Sequence, residues 1–165
     1  MVIIMKIALL PGSYDPITIG HYDIALRAAE IFDLVVIAVM QNAEKRYMFS
    51  IDKRYEAAKA SFCLDDRFRV IRSEGLLAQL ARDIEDEYDN AKCVLVKGLR
   101  NASDFTYEYE MYEINKSIRS CETMFIPSQK EHMFVSSTFV RELIKYGEDF
   151  SPYVPQNSYN YLKNN

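Results

Sequence analysis

The feature that most constrains the fold is an uninterrupted apolar run at Leu34–Met40. A strand without polar alternation is buried on both faces, which is typical of the interior of a parallel sheet. Four further short apolar runs have lengths suited to strands, namely Met5–Leu10, Phe68–Ile71, Ala91–Val96 and Met124–Ile126. The sequence therefore predicts five strands, of which at least one lies in the middle of a sheet.

Longer segments with helical periodicity separate these runs, and Ile24, Ala28 and Ile31 share one face of the first segment. The predicted helices are Tyr22–Phe32, Ile51–Ser61, Leu76–Tyr88, Ala102–Ser117 and Thr138–Tyr146. Strictly alternating strands and helices predict an α/β fold: a single Rossmann-like, doubly wound, five-stranded parallel sheet with helices on both faces. We expect one domain over residues 1–165, with order fading only at the tail Lys163–Asn165.

Composition narrows the possible functions. The net charge of −4 and the lack of a long Lys/Arg run argue against a general nucleic-acid binder, which needs a basic surface. The N-terminal apolar run is too short to cross a membrane and is interpreted as the first strand. The cysteines Cys63, Cys93 and Cys121 lack metal-ligand spacing, so we expect reduced, buried or half-buried thiols in a cytoplasmic protein.

The first candidate site is the segment PGSYDPITIGH, residues 11–21, between the first strand and the first predicted helix. This position faces the crevice in which doubly wound sheets bind ligands. Gly12 and Gly20 allow close approach of the backbone, and Ser13 offers a hydroxyl. His21 lies in the first helical turn, where free N–H groups attract phosphate. A polar turn with a capping histidine would also explain an isolated Gly-His pair.

Two further segments carry groups suited to phosphate. Three adjacent hydroxyls, Ser136 to Thr138, precede the last predicted helix and can cap it or donate to phosphate oxygens; a plain N-cap is the alternative. Lys97 and Arg100 flank Gly98 after the fourth predicted strand, a cation pair that suits phosphate binding. The alternative there is a solvated loop with ordinary surface charges.

Together these segments resemble the signatures of nucleotidylyltransferases. Residues 18–21, TIGH, resemble the (Thr/His)-x-Gly-His motif, and VSST at 135–138 resembles Ile-Ser-Ser-Ser/Thr. The stretch KGLRNASDF, residues 97–105, resembles the Arg-Gly-Leu-Arg-x-x-x-Asp-Phe segment of bacterial phosphopantetheine adenylyltransferases. KRYMF at 45–49 is similar to their Lys-Lys-Pro-Met-Phe loop, and GLLA at 75–78 to their pantetheine-contacting loop. The resemblance extends from Lys6 to about Tyr161.

The chain departs from that pattern at three positions. Lys97 replaces the usual first arginine, which keeps the charge and loses bidentate geometry. Tyr47 stands in place of the proline, so we expect a looser loop around Lys45. His132 stands where an aromatic residue, often tryptophan, is common, and residues 127–134 include one extra residue.

The resemblance implies a set of site residues. It assigns catalysis to His21, Lys45, Arg100 and Ser13. It implies ATP binding by Gly12, Ser13, Tyr14, Gly20, His21, Lys97, Gly98, Arg100, Asp104, Glu108, His132, Met133, Phe134, Val135, Ser136, Ser137 and Thr138. It implies substrate binding by Ser13, Lys45, Leu76, Leu77, Lys97, Ile114 and Asn115.

The implied reaction transfers AMP from ATP to 4'-phosphopantetheine, giving dephospho-CoA and pyrophosphate. It needs no protein nucleophile, because the substrate phosphate attacks the α-phosphorus of ATP directly. The resemblance implies Mg²⁺ bound mainly through ATP, with no metal site in the protein. It also implies dephospho-CoA or CoA as a product or feedback ligand and a cytoplasmic homohexamer, with neither nucleic acid nor membrane as a partner.

Three alternatives stay open at the level of sequence. Another nucleotidylyltransferase is one, such as an NMN adenylyltransferase or a glycerol-phosphate cytidylyltransferase. The string EHMFVSST, residues 131–138, differs from the Arg-Thr-Glu-Gly-Ile-Ser-Thr-Thr of cytidylyltransferases and favours ATP; the pantetheine matches favour phosphopantetheine over NMN. A non-catalytic nucleotide- or CoA-binding relative is the second, although His21 and Lys45 are both retained. A flavodoxin-like scaffold is the third, and it would need no such loop.

Overall fold

The computed structural model describes residues 4–42, 44–118 and 121–164. Its strands are β1 (Met5–Gly12), β2 (Leu34–Gln41), β3 (Phe68–Glu74), β4 (Ala91–Leu99) and β5 (Thr123–Pro127). Its helices are α1 (Ile19–Ala29), α2 (Ile51–Phe62), α3 (Leu77–Asp86), α4 (Ala102–Ile118), α5 (Ser137–Tyr146) and α6 (Gln156–Asn164). Short 3₁₀ helices span Lys130–His132 and Ser151–Tyr153.

The strands form one parallel sheet in the order β3-β2-β1-β4-β5. The chain winds outward in one direction from β1 to β3, returns to pair β4 with β1, and then winds outward in the other direction to β5. The strand order therefore reverses between β1 and β4, where a ligand crevice opens in sheets of this type. The predicted doubly wound, five-stranded α/β fold is confirmed.

Both faces of the sheet are covered, as the apolar run in β2 predicts. On β1, Ala8 and Leu10 join a core cluster with residues of α1 and α2. Ile7 and Leu9 point the other way and join a second cluster with residues of α3. These four side chains are almost fully excluded from solvent, which places the most apolar strands in the middle layer.

Helix α1 differs from its predicted range. It begins at Ile19, because Thr18 caps it, and it ends at Ala29. Ile24 and Ala28 face the core as predicted. The expectation for Ile31 was wrong: it lies beyond the helix and is 53% exposed.

Helix α6 was not predicted, and it includes Lys163 and Asn164, for which the sequence predicted fading order. The remaining residue of that predicted tail, Asn165, lies outside the described residues. The sequence of α6 is mostly polar, which hides the pattern. Ser158 and Leu162, four residues apart on one face, are its buried residues, and the helix packs on α2. A face that consists of a serine and a leucine is too weak a signal for periodicity to detect.

In the described part of the chain, no helix has the length and apolar character needed to cross a membrane. All three cysteines are free thiols. Cys93 and Cys121 are buried as expected, whereas Cys63 is exposed, which corrects the expectation for that residue. Burial raises the pKa of the Cys93 thiol to about 12, so this thiol stays protonated at neutral pH.

Candidate active site

A cleft of about 1130 Å³ opens at the carboxyl ends of β1 and β4, at the point where the strand order reverses. It has the size of a cofactor or nucleotide site. Five separate parts of the chain meet there: the β1–α1 turn, the end of β2 with the loop that follows it, the end of β3 with the start of α3, the end of β4 with the first half of α4, and the segment that leads into α5. The predicted site residues that line it are Gly12, Ser13, Tyr14, Gly20, His21, Lys45, Leu76, Leu77, Lys97, Gly98, Arg100, Asp104, Glu108, His132, Val135, Ser136, Ser137 and Thr138.

Four residues of the predicted set do not line the cleft. Phe134 is 87% exposed and Met133 is 39% exposed, so both side chains face solvent at the turn before α5. Ile114 and Asn115 lie in the second half of α4, roughly 9 Å along the helix axis from Glu108 at 1.5 Å per residue. Ile114 is half-exposed and Asn115 is buried in the fold. Within one copy of the chain, nothing brings these four side chains into the cleft.

The turn after β1 is shaped around Tyr14. This residue has a φ of 47°, in the left-handed region, and its buried hydroxyl donates a 2.8 Å hydrogen bond to the carbonyl of Leu10. A Cβ on Gly12 would lie 3.0 Å from the Tyr14 ring. A larger residue than Gly12 would therefore require the Tyr14 ring to shift by a few tenths of an ångström. Gly98 is similarly close to Ile24, whereas a Cβ on Gly20 would meet only ordinary contacts.

His21 caps helix α1 with its own side chain. Its Nδ1 accepts a 3.1 Å hydrogen bond from the backbone N–H of Thr18, while the Thr18 hydroxyl accepts from the His21 backbone. This is a reciprocal capping box with histidine at the third helical position. Because a backbone N–H can only donate, Nδ1 must be the acceptor, and the ring proton of a neutral imidazole lies on Nε2. The capping explanation from the sequence is thus correct, and it leaves a donor free.

The imidazole of His21 is neutral at pH 7. Burial, and secondly the nearby charge of Arg100, lower its pKa from 6.5 to about 4. Nε2 makes no hydrogen bond to the described residues, and His21 lines the cleft beside the edge of the Tyr14 ring, 5.1 Å between centroids. The site therefore holds an oriented, uncharged N–H donor next to a guanidinium.

The cations of the cleft are paired with carboxylates of α4. Lys97 Nζ lies 3.1 Å from a carboxylate oxygen of Glu108, and both side chains are mostly buried. Arg100 Nε donates to Asp104 at 2.9 Å, and these hydrogen bonds lower the pKa of the Asp104 carboxyl. Lys45 differs, because its exposed ammonium makes no ion pair with the described residues. Phosphate groups entering the cleft would compete with Glu108 for Lys97 and with Asp104 for Arg100, and they would meet the Lys45 ammonium, which is unpaired among the described residues.

Two of the three hydroxyls at the start of α5 hold the helix in place. Ser136 is the N-cap and accepts from the N–H of Phe139 at 3.1 Å. Ser137 donates a 2.8 Å hydrogen bond to the carbonyl of Pro16, which ties α5 to the β1–α1 turn. The Thr138 hydroxyl accepts from Arg141 at 3.0 Å and can still donate. The N-cap explanation therefore holds for Ser136.

Sequence reasoning missed three charged residues behind the cleft. Asp15 is 3% exposed and accepts from the backbone N–H groups of Met48 and Phe49, at 2.8 and 3.0 Å. Arg141 donates to the carbonyl of Asp15 at 2.7 Å. Arg54 is completely buried within α2. The available signal for its burial was its position on the same helical face as alanines. Charged residues are almost never fully buried unless they have partners, so burial of Arg54 indicates a structural role.

Comparison with known proteins agrees with this geometry. Residues 9–143 match a family model described as cytidylyltransferase-like. A phosphopantetheine adenylyltransferase of Buchnera aphidicola is 41% identical over 153 residues, covering 92% of this chain and 89% of that protein. The enzyme of the same name from Flavobacterium psychrophilum is 37% identical, covering 92% and 97%, and that of Limosilactobacillus reuteri 36%, covering 96% and 89%.

A solved structure supports the fold independently. The crystal structure of a candidate nicotinate-nucleotide adenylyltransferase from Vibrio parahaemolyticus superposes with a TM-score of 0.70, covering 98% of this chain and 93% of that one. At 21% identity this likeness concerns the fold alone. The extent and identity of the sequence matches show more: this chain belongs to the cytidylyltransferase-like family and, within it, to the phosphopantetheine adenylyltransferases.

Proposed function

We propose that this chain transfers AMP from ATP to 4'-phosphopantetheine, releasing dephospho-CoA and pyrophosphate. The observation that carries the proposal is the neutral Nε2–H donor of His21, fixed by the capping box beside Arg100 at the point where the strand order reverses. Relatives that are named for this activity and match most of the chain support it.

The reaction is an in-line displacement at phosphorus. A phosphate oxygen of 4'-phosphopantetheine forms a bond to the α-phosphorus of ATP, and the bond from that phosphorus to the bridging oxygen of the β-phosphate breaks. Pyrophosphate leaves with the electron pair. Since no protein atom becomes covalently attached, the chain contributes orientation and neutralisation of charge.

His21 is placed to act on the α-phosphate. Negative charge redistributes over the α-phosphoryl oxygens in the transition state, and a fixed N–H donor stabilises that charge without reorganisation. A neutral imidazole keeps its proton throughout, so it serves as a hydrogen-bond donor and not as an acid. The capping hydrogen bond to Thr18 sets the tautomer that this role requires.

The remaining cations divide between the two phosphate ends. Lys45, which has no carboxylate partner among the described residues, would bind the attacking phosphate together with Ser13. Arg100 and the free N–H groups at the start of α5 would hold the departing pyrophosphate, with Arg100 exchanging part of its contact with Asp104. Lys97 would exchange Glu108 for ATP in the same way.

The cleft fits Mg²⁺ delivered as a complex with ATP. Two of its carboxylates, those of Asp104 and Glu108, are engaged by Arg100 and Lys97, while Glu74 lines the cleft at the end of β3. The described residues include no group of three His, Cys, Asp or Glu side chains that could hold a metal ion. We expect the ion to be held mainly by ATP oxygens and water, with the phosphates held in turn by Arg100 and the α5 start. When bound, Mg²⁺ neutralises charge on the pyrophosphate leaving group.

The far end of the cleft suits the pantetheine arm. Leu76 and Leu77 line it where β3 leads into α3, and the Leu76 side chain is 61% exposed. An apolar wall next to a phosphate site matches an acceptor with a charged head and a long amide chain. We also propose that CoA is a feedback ligand of this cleft, that the chain assembles as a homohexamer and that it is located in the cytoplasm. These three proposals are supported only by membership of the family.

The experiment is a product assay with three acceptors. The protein is incubated with ATP and Mg²⁺ and with 4'-phosphopantetheine, NMN or glycerol phosphate, the last also with CTP. We expect equal amounts of dephospho-CoA and pyrophosphate with the first acceptor and nothing with CTP and glycerol phosphate. Faster turnover of NMN than of 4'-phosphopantetheine would contradict the proposal.

A further inference from the structure

Tyr47 lines the cleft near Lys45 and stacks on Arg54, which is buried behind the cleft. The guanidinium carbon of Arg54 lies 4.0 Å from the centre of the Tyr47 ring. The Tyr47 hydroxyl accepts a 2.9 Å hydrogen bond from the backbone N–H of Asn42. Lys45 lies in the loop after β2, of which the structure describes residue 42 and residues 44–49. The hydrogen bond between Asn42 and Tyr47 joins the start of this loop to its second half.

Arg54 binds neutral acceptors at the ends of two strands. Its Nη1 donates to the carbonyls of Ser13 at 2.5 Å and Met40 at 2.9 Å. Its Nε donates to the carbonyl of Phe49 at 3.2 Å, and its Nη2 donates to the Gln41 side chain. It makes no ion pair among the described residues. One buried side chain thus connects the ends of β1, β2 and the Lys45 loop.

This arrangement leaves little freedom to the groups around it. A guanidinium presents its donors in a rigid plane, so the acceptors must occupy fixed positions. A buried donor that lost its acceptor would be costly, which opposes opening of the loop. The Tyr47 ring covers the face of the same plane, where the guanidinium has no hydrogen-bond donors.

We propose that Tyr47 and Arg54 are positioning residues that hold Lys45 and the Ser13 backbone in the geometry that binds the acceptor phosphate. In this chain the stacked tyrosine takes over the restraint that proline gives in the similar Lys-Lys-Pro-Met-Phe loop. The expected loosening of the loop is therefore offset by the contacts of Tyr47. The consequence for the acceptor phosphate rests on the proposed function.

The first test is limited proteolysis with trypsin, which needs no activity. Lys45 and Arg46 are exposed, but trypsin must bind an extended segment around the cleaved bond. Loosening of the loop in Tyr47→Leu should therefore increase cleavage after Lys45 and Arg46 by about tenfold. Tyr47→Phe keeps the ring and should show a smaller increase. The matched control is Tyr55→Leu, because the Tyr55 ring stacks on Arg72 at 4.7 Å outside the cleft. Equal cleavage rates at Lys45 and Arg46 in all four proteins would overturn the proposal.

The second test is steady-state kinetics with the same variants. Tyr47→Leu should raise the KM for 4'-phosphopantetheine by about tenfold or more, the scale of effect that a small displacement of a binding group produces. The KM for ATP should change less than about twofold, and Tyr55→Leu should leave both constants near wild type. An unchanged acceptor KM, or an equal rise of both constants, would contradict a positioning role.

Misfolding of a variant and failure of the proposed function can both be distinguished from failure of the positioning role. If Tyr47→Leu does not fold, Tyr47→Phe decides, because it removes only the hydroxyl bond to Asn42. If the wild-type protein makes no dephospho-CoA, the proposed function fails, and with it the role at the acceptor phosphate. Cleavage at Lys45 and Arg46 still decides whether Tyr47, through its contacts with Arg54 and Asn42, holds the loop.

Discussion

Replacement of His21 separates its two roles, because the capping box uses Nδ1 and the proposed donor is Nε2. His21→Ala removes both. Loss of the cap should cost about 1 kcal/mol of stability, within the range for N-terminal helix caps. For a chain of this length that corresponds to a fall in Tm of about 2–4 °C. Loss of the donor should lower kcat by about 10²–10³-fold, the range for one preorganised oxyanion donor.

His21→Glu is the matched variant. Thr18 followed three residues later by glutamate is a standard capping box, so the carboxylate can accept from the Thr18 N–H in place of Nδ1. We expect a Tm near that of wild type. The rate should fall at least as far as in His21→Ala, because a carboxylate cannot donate a hydrogen bond and repels the phosphates.

The assay pairs thermal unfolding with steady-state pyrophosphate release for the wild type and both variants. Helix α1 keeps Ile24 and Ala28 in the core, so all three proteins should fold. The reasoning fails if the rate of His21→Glu recovers together with its Tm, because His21 would then act only as a cap. It also fails if His21→Ala matches wild type in both rate and Tm.

Three further predictions follow from the site. NMR titration should show His21 as an Nε2–H tautomer with a pKa near 4, and its signal is readily assigned because His132 is the other histidine. Since the pKa of His21 in the folded protein lies below the ordinary 6.5, its contribution to stability is present above pH 6.5 and is lost as the pH falls towards 4. A titration midpoint near 6.5 would refute this prediction. Lys97→Ala should weaken ATP binding by about 1–3 kcal/mol in a binding titration, whereas Lys97→Arg should retain it. Adding Glu108→Gln to Lys97→Ala should recover part of the loss, because it removes the carboxylate that Lys97 had paired. Unchanged affinity in Lys97→Ala would show that Lys97 does not bind ATP. Asp15→Asn should lower the free energy of unfolding by about 1–3 kcal/mol, because each carboxylate oxygen of Asp15 accepts one backbone N–H and an amide has a single oxygen. An unchanged Tm in thermal unfolding would contradict that role.

The sheet was predictable because its strands are short, apolar and separated by turn-forming segments. Leu34–Met40 indicated a central strand, and β2 lies between β1 and β3. The start of α1 was not predicted from periodicity, because it depends on a local hydrogen bond between Thr18 and His21. Helix α6 escaped detection because its buried face contains a serine, and only packing on α2 makes that face internal.

The site was predictable where a motif fixes the local backbone, and less so elsewhere. The residues after β1 and β4 converge on the cleft because the topology brings those strand ends together. Met133 and Phe134 do not, because the direction of a side chain in an irregular turn depends on contacts that the sequence does not display. Arg54 and Asp15 were missed for a related reason. Charged residues are expected at the surface, and the sequence does not show the carbonyls and N–H groups that form hydrogen bonds with these two in the interior.

Label transfer from ATP tests the central claim most directly. The protein is incubated with 4'-phosphopantetheine, Mg²⁺ and ATP labelled with ³²P at either the α- or the γ-phosphate, and the products are separated. Transfer of AMP predicts that the α-label appears in dephospho-CoA and the γ-label in pyrophosphate. If the γ-label is found on the pantetheine product, or if neither label leaves ATP, the chain does not catalyse adenylyl transfer to 4'-phosphopantetheine.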